Sequence, residues 1–159
     1  GFWNEFIKFD KKQVELIGVE AGGPLKSKKH AAPLTNNSKI GVLHGAMQYV
    51  VQNKDGQIEE TESISAGLDY SGVSPLHCFL KDTKRARYVS ASDEDALNAY
   101  KLVTKYEKIN PSLEPCHAFA IACKEARKLD KDTIIVVNSC GDAIKDKDIL
   151  KSRLGKKYG

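Results

Sequence analysis

The sequence lacks the long apolar runs and paired cysteines that mark membrane-spanning and secreted proteins. Of its 159 residues, 41% are hydrophobic, but no apolar run approaches the roughly eighteen residues that a membrane helix needs. The four cysteines include no C-x-x-C pair. Their spacing, and that of the four scattered histidines, fits neither a zinc site nor a compact disulfide framework. We therefore expect a cytoplasmic protein with no membrane partner and no histidine–cysteine metal site.

Arginine is scarce among the basic residues, and several familiar motifs are missing. The chain has 25 Lys and Arg residues, only four of them Arg, and a net charge of +4. This balance, without interleaved aromatic residues, is typical of a solvated Lys-rich exterior rather than a nucleic-acid surface. We expect no nucleic-acid partner.

The absence of a P-loop, a G-x-G-x-x-G fingerprint and a nucleophile elbow argues against the enzyme classes that those motifs mark.

Methionine is nearly absent as well. The first residue is Gly1, and the single methionine is Met47. We expect from this that the chain either lost its initiator or was cut from a longer one. The length suits one α/β segment over residues 1–159.

Strand and helix patterns alternate along the chain. Residues 14–20 form a β-branched run that ends near Gly22, which predicts a buried strand of the parallel-sheet type. Ser92 and Asp95 predict a capping box at the start of a helix. The alternation predicts an α/β fold, with a mostly parallel sheet and helices on both faces. Further helices are predicted at 2–9, 75–82, 113–129 and the C-terminus, and further strands at 88–90 and, most clearly, 133–137, whereas 40–51 is ambiguous.

Ligands of parallel sheets bind beyond the carboxyl ends of strands, which draws attention to residues 138–141. Their short polar side chains and Gly141 could approach a small molecule closely, although an ordinary β–α turn is the commoner explanation. Asp69 could be a turn carboxylate, and Glu114 could complement a helix dipole. His117, on an apolar helix, is interpreted as a core residue rather than a ligand.

Several segments together resemble the beta subunit of tryptophan synthase, a fold type II pyridoxal-phosphate enzyme. They follow one another in the family's order and spacing over most of the chain. Each segment alone is weak evidence for the family, but the shared order of all of them makes the resemblance specific. The segments are residues 16–22, 41–45, 55–58, 63–70, 88–91, 111–114 and 135–138.

The resemblance implies that the chain is the C-terminal portion of an enzyme that joins indole and L-serine into L-tryptophan. It implies pyridoxal phosphate and an activating monovalent cation as cofactors of the intact enzyme. It also implies three partners: the missing N-terminal half, a tryptophan synthase alpha subunit and a second copy in a homodimer.

The resemblance assigns the family's site residues to the matching positions of this sequence. Asp69 matches the carboxylate that closes over the substrate, and the backbone carbonyls of Tyr70 and Gly72 match cation ligands. Glu114 matches an acidic residue beside the pyridoxal ring. Cys140 stands where the family usually has a serine that meets the pyridine nitrogen, and a thiol there is a weaker but still neutral hydrogen-bonding group. Gly67 and Gly141 complete the cofactor set, while Leu43 and His44 match the path of indole.

The chain also departs from the family pattern. After Cys140 the family's Arg and first Asp are lost and a Gly has become Ala143, so we expect a rebuilt loop over residues 142–144. The family's Schiff-base lysine and glycine-rich phosphate loop have no counterpart here, and a Schiff-base enzyme needs a positioned amine. Two hypotheses follow: part of an enzyme that is inactive alone, or a non-catalytic module that binds a small ligand or a partner chain.

Overall fold

The computed structural model describes residues 1–36 and 38–158 as an α/β arrangement around a parallel strand pair. β1 runs beside β4 in parallel register, with Leu16 opposite Ala86 and Ala21 opposite Ala91. β2 and β3 form a separate antiparallel hairpin, closed by His44 and Gly45. The strands are β1 (Leu16–Ala21), β2 (Lys39–Leu43), β3 (Ala46–Val50) and β4 (Ala86–Ala91), and the helices are α1 (Pro75–Asp82), α2 (Asp93–Tyr106), α3 (Leu113–Ala126) and α4 (Lys147–Leu154), with short 3-10 turns at Ala143–Asp146 and Lys156–Tyr158.

Helices cover both faces of the β1–β4 pair, as the alternation predicts. On one face, Ile17 and Val19 of β1 pack with residues of α2 and α3, including Ala99 and Ile121. On the other face, Leu16 packs with Leu80 of α1 and with the N-terminal aromatic residues. This division follows from the two-residue period of a strand, which sends alternate side chains to opposite faces. The fold class expected from the sequence is confirmed.

α2 begins at the capping box that its sequence predicts. The Ser92 hydroxyl accepts the Asp95 N–H, and the Asp95 carboxylate accepts the Ser92 N–H. The helix packs against α3, and its inner residues Ala96 and Tyr100 are buried. The capping box therefore fixes the start of α2 directly after β4.

The N-terminal segment is not the helix that its aromatic spacing suggests. Residues 2–9 form consecutive turns, in which the Phe6 and Ile7 N–H groups both donate to the Trp3 carbonyl. The Arg85 guanidinium holds this segment by donating to three backbone carbonyls at 2.7–3.2 Å. Those acceptors are Phe6, Ile7 and Val14. The Phe6 and Ile7 carbonyls thus accept hydrogen bonds from Arg85 instead of from the backbone N–H groups of a continuing helix.

The clearest strand of the sequence is also not formed. Residues 133–137, beyond the end of α3, have no regular secondary structure and leave Ile134 86% exposed. A strand is stabilised by its neighbours, so a β-branched run without a paired edge beside it stays irregular. The ambiguous segment 40–51 instead supplies the β2–β3 hairpin. His117 is fully buried, as its interpretation as a core residue requires.

Candidate functional site

Four of the residues predicted to surround a cofactor meet at the N-terminus of α3. The Gly67 N–H donates to Glu114 Oε1 at 2.9 Å. The Ser112 hydroxyl donates to the Cys140 carbonyl at 2.9 Å. A side chain at Gly141 would meet that same hydroxyl, since its Cβ would lie 2.8 Å from Ser112 Oγ. The loops around residues 67 and 140 therefore flank one helix end.

Glu114 is the charged centre of this cluster. Its side chain is 15% exposed and accepts a short hydrogen bond from the Lys145 ammonium. Burial alone would raise the pKa of Glu114, but hydrogen bonds, above all from Lys145, outweigh it and lower the pKa to about 2. Glu114 is thus an anion at neutral pH. Its second oxygen, Oε2, is buried and has no hydrogen-bond partner among the residues that the structure describes.

The α3 N-terminus is closed by a residue that the sequence analysis missed. Asp146 Oδ2 accepts the Leu113 N–H at 2.8 Å, although Asp146 lies 33 positions further along the chain. Ser112, the residue at the N-cap position, makes no side-chain cap of its own. Asp146 is only 3% exposed, and this burial raises the pKa of its carboxyl group. No signal short of the folded loop could have paired these two positions.

Lys145 also went unpredicted; it lies directly after residues 142–144, the stretch expected to be rebuilt. Desolvation would lower the pKa of Lys145, but the Glu114 and Asp146 carboxylates outweigh this effect and raise it. An ammonium held in this way is a poor nucleophile, because attack requires the neutral amine. The described arrangement therefore uses Lys145 as a counter-ion.

Asp69 lies outside the charged cluster. It is exposed, two residues beyond Gly67 in an irregular loop. Nearby, the Tyr70 hydroxyl and His44 Nδ1 lie 2.6 Å apart, so the hairpin turn touches this loop. Gly72 is buried, and a Cβ there would lie 2.4 Å from the Gln48 side-chain oxygen. The loop from residue 67 to 72 thus links the Glu114 cluster to the hairpin.

The described residues include no group of three or more His, Cys, Asp or Glu side chains that could hold a metal ion. Over the same residues, no helix is both long and apolar enough to cross a membrane. All four cysteines are free thiols, and Cys123 and Cys140 are exposed.

Comparison with known proteins finds strong similarity to tryptophan synthase beta chains. The chain is 52% identical over 134 residues to the Chromobacterium violaceum protein, a match that covers 84% of this chain and 34% of the relative. It is 50% identical over 148 residues to the Bordetella petrii protein, covering 92% of this chain and 37% of the relative. It is 49% identical over 151 residues to the Allorhizobium ampelinum protein, a match that covers 94% of this chain and 36% of the relative. No protein-family profile matches the chain.

Proposed function

This chain is homologous to tryptophan synthase beta chains over about a third of their length, and on that premise we propose that it is the C-terminal part of such an enzyme. It contributes to a pyridoxal-phosphate-dependent β-replacement that joins indole and L-serine into L-tryptophan, and it is inactive alone. The observation that carries the proposal is the meeting of Gly67, Glu114, Cys140 and Gly141 at one helix end. These residues are far apart in sequence but were assigned to one cofactor by resemblance.

The described residues fit one side of a pyridoxal ring. Glu114 offers a buried carboxylate oxygen without a partner, and a polar ring substituent would satisfy it. Gly67 and Gly141 carry no side chain, which lets their backbones approach Glu114 and Ser112 closely and brings both loops to the α3 N-terminus. Cys140 would present a neutral thiol to the pyridine nitrogen. When bound, pyridoxal phosphate supplies the electron sink for the reaction.

The chain's own residues would orient the substrate and exclude water. Asp69, on its exposed loop, would close over the serine-derived substrate and accept a hydrogen bond from its hydroxyl. The backbone carbonyls of Tyr70 and Gly72 would hold a monovalent cation, which would stiffen the loop that carries Asp69. Leu43 and His44 would line the approach of indole. Lys145 is engaged by Glu114, and the resemblance places the amine that binds the cofactor outside this chain.

The implied partners follow from the same premise. The remaining two thirds of the relatives' length would supply the cofactor lysine and the phosphate loop. An alpha subunit would deliver indole, and a second copy would form a homodimer. The competing proposal is a non-catalytic module, which is favoured by the Lys145–Glu114 ion pair, because that pair neutralises the carboxylate that would face the ring.

A complementation assay tests the proposal. The probe is the part of the Chromobacterium violaceum beta chain that lies outside the aligned 134 residues. We expect the mixture with pyridoxal phosphate, indole and L-serine to form tryptophan, whereas each part alone forms none. Asp69→Asn and Glu114→Ala should each lower the rate at least about tenfold, and Asp148→Asn, at an exposed position of α4, should leave it unchanged.

The outcomes separate the two candidates. Binding of the two parts without tryptophan formation, under conditions where the intact Chromobacterium violaceum enzyme is active, would overturn the enzymatic proposal and favour the non-catalytic module. An equal loss of rate in Asp148→Asn would show that the effects of the site variants are not specific to the site.

A further inference from the structure

β1 has one paired edge and one open edge. β4 covers the first along the whole strand, from Leu16 to Ala21. On the other edge, the part of the chain that the structure describes supplies only an isolated bridge from Ala31 to Ala21. An open edge presents unpaired backbone N–H and C=O groups, which proteins usually cover or protect. The backbone groups of Ile17 and Val19, which face this edge as those of Ala21 do, therefore need a partner.

A groove of about 620 Å³ runs along this open edge. One wall is formed by Leu16, Ile17 and Val19 of β1, and the other by the irregular segment 133–137. Its lining is mostly apolar, although charged residues such as Lys11, Lys12 and Glu125 also contribute. Val136 is 66% exposed there, so the segment leaves apolar surface unpacked. Two β-branched stretches thus face each other across an empty channel.

The two faces of the groove are also apolar. α3 contributes Ala118, Ile121 and Ala122 on one side, and the N-terminal segment contributes Phe2, Trp3 and Phe6 on the other. The two alanines leave room for branched side chains above α3. An element in this channel would be covered on both faces and flanked on both edges, which is the environment of a central parallel-sheet strand.

We propose that this groove receives one extended, β-branched strand from the two thirds of the relatives' length that the chain does not span. The inserted strand pairs with β1 on one edge and with residues 133–137 on the other, and so completes the sheet. A helix could not satisfy the backbone groups of either wall, because its own are already used internally. The inference rests on the proposed function in one respect: it takes the inserted strand from the rest of a tryptophan synthase beta chain.

Hydrogen exchange tests the insertion directly. The chain is mixed with the same Chromobacterium violaceum probe, without pyridoxal phosphate or substrates. We expect the amides of Ile17 and Val19 and those of residues 134–137 to gain protection together, because a strand between them bonds to both walls. Amides of the β2–β3 hairpin serve as the internal reference and should change less.

Matched variants test the groove independently. Val136→Asp places a charge inside the channel and should weaken binding of the probe about tenfold or more. Val42→Asp changes the same residue type at similar exposure, 70% against 66%, but on β2 away from the groove. It should bind as the unchanged chain does. Circular dichroism of both variants verifies that they fold.

Three results would overturn the proposal. Protection of only one wall would exclude insertion between the two. Equal weakening by Val42→Asp and Val136→Asp would place the interface elsewhere. Protection of both walls in the chain alone, unchanged by the probe, would make a second copy the occupant. Since none of these readouts depends on tryptophan formation, failure of the insertion and failure of the proposed enzymatic function are distinguishable.

Discussion

Asp146 and Leu113 are joined across 33 positions by a hydrogen bond of 2.8 Å, from the Leu113 N–H to Asp146 Oδ2. This bond ties the loop after Cys140 to the first turn of α3. Since Glu114 is the next residue, the position of its carboxylate depends on the bond. The carboxylate cap and the candidate cofactor residues therefore form one structural unit.

Replacing this cap should destabilise the fold. Asp146→Ala leaves the Leu113 N–H without its acceptor, and we expect the free energy of unfolding to fall by about 1–2 kcal/mol. Asp146→Asn keeps an acceptor oxygen and should lose less. Urea unfolding measures both, with Asp148→Ala, an exposed aspartate of α4, as the control. A loss in Asp148→Ala as large as that in Asp146→Ala would contradict the assigned cap.

Acid should destabilise the fold through Glu114. Its pKa is lowered from the ordinary 4.5 to about 2 in the folded chain, so the unfolded chain binds a proton more readily over this range. The resulting stabilisation is complete above about pH 4.5 and is lost as the pH falls towards 2, a change of about 3 kcal/mol at most. Thermal unfolding of Glu114→Gln should lack this part of the acid slope, whereas Glu107→Gln should retain it.

A methyl group at Gly67 should disturb Glu114. The added Cβ would lie 2.5 Å from Glu114 Oε1 and 3.0 Å from its Cγ, so the carboxylate must move. We expect Gly67→Ala to weaken the Gly67 N–H bond and to raise the pKa of Glu114. Carbon-13 NMR titration of the Glu114 carboxyl group measures the change. Ala66→Ser, at the exposed neighbouring position, should leave that titration unchanged.

The four thiols should differ in reactivity. Cys123 and Cys140 are exposed and should react rapidly with a thiol reagent. Cys116 is fully buried, and burial raises its pKa to about 12, so it should react only after unfolding. Mass spectrometry of the labelled chain assigns each site. Fast labelling of Cys116 in the folded chain would contradict its burial on the inner face of α3. If pyridoxal phosphate binds beside Cys140 in the complemented protein, it should slow labelling of Cys140 and leave that of Cys123 unchanged.

Short sequence patterns correctly predicted those elements whose formation depends on neighbouring residues. The Ser92–Asp95 capping box and the β-branched run of β1 specify their elements within a few residues, and both are formed. The family resemblance assigned Gly67 and Glu114 to one cofactor site, but their hydrogen bond was not predicted, since no short-range pattern connects positions 47 residues apart.

The errors have a common physical origin. Residues 133–137 have strand propensity but no paired neighbour in the described part of the chain, so propensity alone does not form a strand there. The aromatic spacing of residues 2–9 suggested a helix, but Arg85 takes the backbone carbonyls of Phe6 and Ile7. Asp146 and Lys145 act through a loop whose path the sequence did not reveal.

The Arg85 guanidinium has an energetic consequence for association. By holding Phe6, Ile7 and Val14, it fixes the aromatic side of the groove before anything enters it. The conformational entropy of ordering those residues is therefore lost on folding rather than on binding. One side chain, distant from Glu114, thus preorganises the channel and raises the affinity available to an incoming strand.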